Sequence, residues 1–330
     1  MSHEFVQGFA VREPAWHGLG VTLPDYPGRE TAIKLAGHDF TVVERPVSIE
    51  VPVGDEGESI AIAAEGWKAL LREDTNKVFN VVRDSYQIVQ NEVLWDIVDA
   101  IVDQPNVKYE TAGVLKGGAL LWVLAWLDEP VTISGDNSPI YPFVLVSTTH
   151  DGSGAAKART VSVRVVCWNT YSAADYQAKN SGLEFTFRHT KNVGDKIEDA
   201  KRALSGARVQ HQEFVELAEE LQAIKLNEKQ VELFVTSFLP SPQDVGEIVS
   251  DRVVSNIEEA RAAVRHILNG ETISEGIRGT GYGAFQAGIE YLDHIRSYRS
   301  NETLFNRSLV RSEAAKGKLA TLVREVALVA

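Results

Sequence analysis

Lys157, Arg159 and Arg164 sit just downstream of His150-Asp151-Gly152-Ser153-Gly154, a connection with no bulky side chain between its ends. Cations beside a backbone that a ligand can approach closely suit contact with phosphate oxygens. Trp168 and Tyr171 follow, and aromatic side chains near cations stack the bases of single strands, contributing about 1–3 kcal/mol per base. Arg188, Lys191 and Lys196 continue the cationic series. The candidate nucleic-acid-binding set is therefore His150, Gly152, Gly154, Lys157, Arg159, Arg164, Trp168, Tyr171, Arg188, Lys191 and Lys196, with Gly152 to Gly154 admitting the DNA backbone.

Other residues carry weaker chemical signals. His150 and Asp151 are adjacent, and neighbours in a strand point to opposite faces, so they do not support each other as a triad does; a turn or phosphate contact is the expected role. Cys167 is the only cysteine; in an apolar strand it is expected to be a buried, inert thiol. Gly279-Thr280-Gly281-Tyr282-Gly283 fits neither phosphate-loop pattern and is expected to be a flexible entrance to a helix. Glu290 and His294 share a helix face beside Asp293, but a metal would need further ligands from elsewhere, and a hydrogen-bonding role is expected. No catalytic set, metal or cofactor is expected.

Composition bounds the function. The 330 residues are 44% hydrophobic and 24% charged, as for a folded globular chain of one or two domains. No apolar run approaches a membrane span, and the N-terminus lacks the basic and apolar regions of a signal peptide, so no membrane association and a cytoplasmic location are expected. A net charge of -13 opposes indiscriminate binding to nucleic acid. The charge is uneven, however: His150 to Arg208 holds ten Lys/Arg against six Asp/Glu.

The elements that must position these residues are of two kinds. Phe40 to Val53 reads as a strand whose Pro46 and Pro52 suit a sheet edge. Trp67 to Arg72 and Lys77 to Arg83 flank a hairpin turn at Asp74-Thr75-Asn76. Asn91 is expected to cap a helix with Leu94, Trp95, Val98, Ile101 and Val102 on its apolar face. Val107 to Leu115 and Ala119 to Leu127 meet at Gly117-Gly118, with Trp122 and Trp126 on one strand face. Tyr141 to Val146 is apolar on both faces, whereas Val161, Val163, Val165 and Cys167 alternate with Thr160, Ser162 and Arg164, leaving a polar face for a ligand. Beyond residue 195 the pattern turns helical: Val193 to Ile224, with Gly206 a break; Val231 to Phe238, opened by an Asn227/Gln230 capping box and closed by Pro240 and Pro242; Ile257 to Leu268, opened by Ser255 and Glu258; Phe285 to Ile295; and Glu313 to Val329. An α+β fold is expected, with an antiparallel core over residues 1–195 carrying the basic hairpin and a mainly helical region over 196–330.

With PAWHGLG at Pro14–Gly20, RDSYQIVQNEVLW at Arg83–Trp95, ETAGVLKGGALLWV at Glu110–Val123, RVVCWNTYSAA at Arg164–Ala174 and GTGYGAFQAGIEYLDH at Gly279–His294, the chain resembles the phage/plasmid-like protein family, domain-of-unknown-function family 932. Gln286 stands where asparagine is more typical. The resemblance implies a phage or mobile-element origin and brings no established activity. The architecture is also similar to the core of phage single-strand annealing proteins of the RecT, Red-beta and Rad fifty-two type, which hold single-stranded DNA along a groove of an oligomer. The resulting expectation is a homo-oligomer that binds and anneals single-stranded DNA. The alternatives are a metal-assisted enzyme acting on nucleic acid or nucleotide, and a protein-binding module that inhibits a host defence system.

Overall fold

A computed structural model describes residues 5–11, 20–53, 58–102, 107–164, 169–172, 184–187, 207–246, 248, 250–296 and 314–329. The fold is α+β, with mostly antiparallel sheet and seven α-helices among those residues. It divides into two compact units interleaved along the chain. The first holds Met1–Trp126, Val144–Arg159 and Phe185–Ser205; the second holds Leu127–Phe143, Thr160–Glu184 and Gly206–Ala330. The boundary expected at residue 195 lies outside the described residues.

In the first unit, β1 (Phe5–Val11) pairs in parallel with β2 (Val21–Leu23) and antiparallel with β6 (Tyr109–Leu115), which pairs antiparallel with β7 (Leu120–Trp126). Every residue of β6, Glu110 and Thr111 included, and nearly all of the apolar β7 are buried, so both strands are covered on both faces. β7 is followed in the sheet by β9 (Pro139–Thr149), whose Val144–Thr149 stretch belongs to this unit. α1 (Arg29–Ala36) and α2 (Asn91–Val102) pack on this sheet. The whole expected apolar stripe of α2 is buried, with Trp95 and Leu94 fully so. Asn91 opens α2, but its amide is used elsewhere than in capping: Nδ2 donates to the carbonyls of His38 and Phe40, and Oδ1 bonds His150.

A separate three-stranded sheet of order β3-β4-β5 joins β3 (Val42–Val53), β4 (Glu58–Arg72) and β5 (Lys77–Arg83). β3 is an edge strand, where its two prolines are tolerated. The hairpin turn between β4 and β5 falls where Asp74-Thr75-Asn76 indicated, with Asn76 at positive φ. β4 starts well before Trp67, so β3 and β4 extend together as a two-stranded ribbon beyond the end of β5.

His38 gives the first unit a pH dependence. The ring is buried, its Nε2–H donates to the Gly113 carbonyl at 2.8 Å, and burial pushes its pKa down to about 4. Between pH 6.5 and 4 an unfolded histidine is protonated while the folded one is not, so the unfolded state binds more protons and stability falls with acidity. The loss across that window should approach ~3 kcal/mol at ~1.4 kcal/mol per unit. Urea denaturation at pH 7 and pH 4.5 checks this; His38→Gln should flatten the difference, and an unchanged slope would assign the acid sensitivity to other groups.

The second unit is mainly helical. α3 (Ala207–Ala223), α4 (Glu228–Phe238), α5 (Asp251–Leu268), α6 (Gly281–Glu290) and α7 (Ala314–Ala327) enclose a core that includes Leu221, Phe234, Val264, Phe285 and Val323. β8 (Val131–Thr132) pairs with the start of β9, and the Val161–Arg164 part of β10 (Ala156–Arg164) pairs with β11 (Asn169–Ser172). The remaining strand, β12 (Glu184–Phe187), of which Phe185–Phe187 belong to the first unit, pairs with β10.

The Asn227/Gln230 capping box opens α4 as expected. α5 instead begins a turn before Ser255, at Asp251 with Ser250 as N-cap, and the Ser255 hydroxyl lies within the helix near Glu259. Any helix before Ala207 lies outside the described residues. The glycine run is not a loose entrance to α6: Thr280 caps the helix through the Gly283 N–H, and a Cβ on Gly283 would fall 2.3 Å from the Ile277 carbonyl oxygen. α6 passes into one π-helical turn, Tyr291–Ile295, closed by the Arg296 N–H on the Tyr291 carbonyl.

Candidate nucleic-acid interface

The polar alternation of β10 is spent inside the protein rather than on a ligand. All of β10 is buried except the half-buried Lys157. Arg164 makes a two-pronged ion pair with Asp136, Nε to Oδ2 at 2.7 Å and Nη2 to Oδ1 at 2.8 Å, and its Nη1 donates to the Thr272 carbonyl. Ser162 hydrogen-bonds His211 Nδ1 at 3.0 Å. Arg159 is 3% exposed and His150 1%. The expected phosphate contacts at His150, Arg159 and Arg164 are therefore corrected: these side chains hold the interior.

The His150–Asp151 connection is pinned from several directions within the first unit. His150 turns inward, with Nε2 2.7 Å from Asn91 Oδ1 and its ring stacked on Phe79 at 5.8 Å. Its backbone N–H donates to the Ala119 carbonyl, Asn80 Nδ2 donates to the Asp151 carbonyl, and Lys116 Nζ lies 3.8 Å from Asp151 Oδ2. Gly152, at positive φ, and Gly154 are exposed, and the Gly154 N–H donates to Thr149 Oγ1. Of the expected set, Gly152, Gly154 and Lys157 thus remain accessible. Tyr171 lies on β11 opposite Ser162. Trp168, Arg188, Lys191 and Lys196, like Cys167, lie outside the described residues.

A different face has the required chemistry. In the β3-β4-β5 sheet, Leu70 and Val82 are buried on one side. The register pairs Arg45 with Ala69, Ala69 with Val81, and Trp67 with Arg83 on the other. Trp67 and Val81 are 39% and 41% exposed there, and the Arg83 guanidinium carbon lies 3.9 Å from the Trp67 ring centroid. Arg45 and Arg83 are exposed, and neither has a carboxylate partner among the described residues. By contrast, Lys68 and Arg72, on the buried side, are neutralised by Glu44 and Asp74. An aromatic ring and two guanidinium groups without a carboxylate partner among the described residues form, on an open sheet, a stacking platform flanked by phosphate-binding charge.

This face was within reach of the sequence. A turn at Asp74–Asn76 brings Trp67 opposite Arg83, but period-two alternation alone does not say which side of the hairpin is covered. Trp122 is buried, and Trp126 is half-buried, donating Nε1–H to Glu110. In the second unit, burial raises the Glu290 pKa, opposed by a hydrogen bond from Thr272. Among the described residues no group of three or more His, Cys, Asp or Glu side chains is placed to hold a metal ion, and no helix is long and apolar enough to cross a membrane. A family model described as a domain of unknown function (DUF932) matches residues 78–315. No curated protein and no solved structure matches the chain.

Proposed function

Because the chain belongs to the DUF932 family, a domain of unknown function that supplies no activity to inherit, we propose from the geometry that it binds single-stranded DNA across the open face of the β3-β4-β5 sheet. The observation that carries this reading is the Trp67–Arg83 stack, an exposed ring held by an uncompensated guanidinium. A base stacks on such a ring without regard to sequence, while Arg45 and Arg83 take phosphates. The exposed Gly152–Gly154 backbone, beside the half-buried Lys157, would add secondary contacts. Assembly of several copies would line up one short face after another, which is what strand annealing in phage or mobile-element recombination requires. A cytoplasmic site of action goes with this reading.

Fluorescence anisotropy with labelled single-stranded DNA, duplex DNA and RNA, with and without magnesium, tests it. Single-stranded DNA should bind best and without a metal requirement. Trp67→Ala should weaken binding roughly 5- to 150-fold, the equivalent of ~1–3 kcal/mol per stacked base. Arg45→Ala with Arg83→Ala should lower the slope of log affinity against log salt by about 1.4, at ~0.7 per lost phosphate contact on a single strand. Unchanged affinity in a folded Trp67→Ala protein would remove the interface. Mass photometry with and without DNA reports assembly, and a monomer throughout would remove annealing while leaving binding intact.

A further inference from the structure

The ribbon made by the outer parts of β3 and β4 has one apolar face that nothing among the described residues covers. Cross-strand register places Ile49 opposite Ile62 and Val51 opposite Ile60, with Val53 opposite Glu58 at the end of the same side. The five aliphatic side chains are between 37% and 61% exposed. Ser48, Glu50, Pro52, Ser59, Ala61 and Ala63 make the opposite, polar side. β5 pairs with β4 only from Trp67 onward, so the outer ribbon has no third strand. Two strands alone are marginally stable in water, and contiguous exposed aliphatics mark an interaction surface.

The charge of the ribbon selects the occupant. From Val47 to Ala64 the sequence holds Glu50, Asp55, Glu56 and Glu58 and no Lys, Arg or His. Face-to-face packing with a second copy would bring the Glu58 carboxylates of both copies onto the buried face, and like-charge juxtaposition costs several kcal/mol. Phosphate backbones and anionic lipid headgroups are repelled for the same reason. Strand addition along the outer edge of β3 is interrupted by Pro46 and Pro52, which lack the N–H that a new strand would need. Burial of the face itself is the mode that removes these aliphatic side chains from water. We propose that this ribbon docks a partner protein through an apolar strip bordered by lysine or arginine.

A short synthetic peptide alternating valine with lysine serves as probe, and the same peptide with glutamate in place of lysine as its counterpart. Calorimetric titration into the full chain should show binding of the lysine peptide only, with a negative heat-capacity change that reports buried apolar surface. Ile49→Ser, Ile60→Ser and Ile62→Ser together should weaken it at least tenfold. Exposure of these residues leaves the fold intact, as far-UV circular dichroism would verify. Glu50→Gln, on the other side of the ribbon from the aliphatic residues, should reduce the salt dependence without touching the apolar side. Equal binding by the triple serine variant would mean attraction to net charge alone and would overturn the proposal. So would a concentration-dependent dimer that the serine substitutions abolish, since the occupant would then be a second copy. Loss of single-strand binding in Trp67→Ala would leave the result unaffected.

Discussion

Replacing Asp136 by alanine should destabilise the protein by about 3–5 kcal/mol, the cost of leaving one member of a buried ion pair without its partner. Both side chains are essentially removed from solvent, at 1% for Arg164 and 0% for Asp136. The carboxylate also accepts from the Ser138 N–H and lies 3.3 Å from the Ser274 hydroxyl. Alanine would take both carboxylate oxygens away from the buried guanidinium, which keeps its bond to the Thr272 carbonyl. Arg164→Lys should also be costly, because an ammonium cannot reproduce the planar two-pronged geometry. Asp136→Leu combined with Arg164→Met should recover most of the loss, since apolar replacement of a whole buried pair is often neutral or better. Urea midpoints at unchanged slope measure all of these. A loss below about 1 kcal/mol, the range of an exposed pair, would show that water reaches the site.

Gly276→Ala should have an effect of similar size by a different route. Its Cβ would stand 2.0 Å from the carbonyl oxygen of Gly135 and under 3 Å from that residue's Cα. The obstacle is backbone, so no rotamer change relieves it, and the expected cost lies at or above the ~3 kcal/mol upper end of ordinary overpacking. Gly135 precedes Asp136 and has φ +79, so the segment that must retreat also carries the carboxylate. Gly276→Ala and Asp136→Ala should therefore be less than additive in the double variant, with a coupling of about 1 kcal/mol or more. Strict additivity would show that the two loops yield independently.

Where local chemistry decides, the sequence was readable. The apolar stripe of α2, the Asp74–Asn76 turn and the Asn227 capping box each depend on residues a few positions apart. β10 shows the converse. Thr160, Ser162 and Arg164 have the spacing of a solvent or ligand face, and only the arrival of Asp136 and His211 from distant segments makes them interior. The outer half of β4 escaped notice because Ala61, Ala63 and Ala64 weaken the contrast with Ile60 and Ile62. α5 starts earlier than Ser255 suggests because the side chains it buries most, Arg261, Val264, Ile267 and Leu268, fix only its later turns. The Trp67 face required knowledge of what lies beneath Leu70.

The interleaving of the two units sets an order in time. Leu127–Phe143 belongs to the second unit, yet its helical partners begin only at Gly206. On a ribosome adding about 5–20 residues per second, that early strand waits roughly 10–40 s before residue 330 is added. During the wait its apolar residues, Ile133 and Ile140 among them, have no final neighbours. A newly made chain is thus most exposed to aggregation after the first unit can close and before the second can, and slowing synthesis would lengthen that interval. A fragment ending near residue 160 would carry Leu127–Phe143 as an orphan strand.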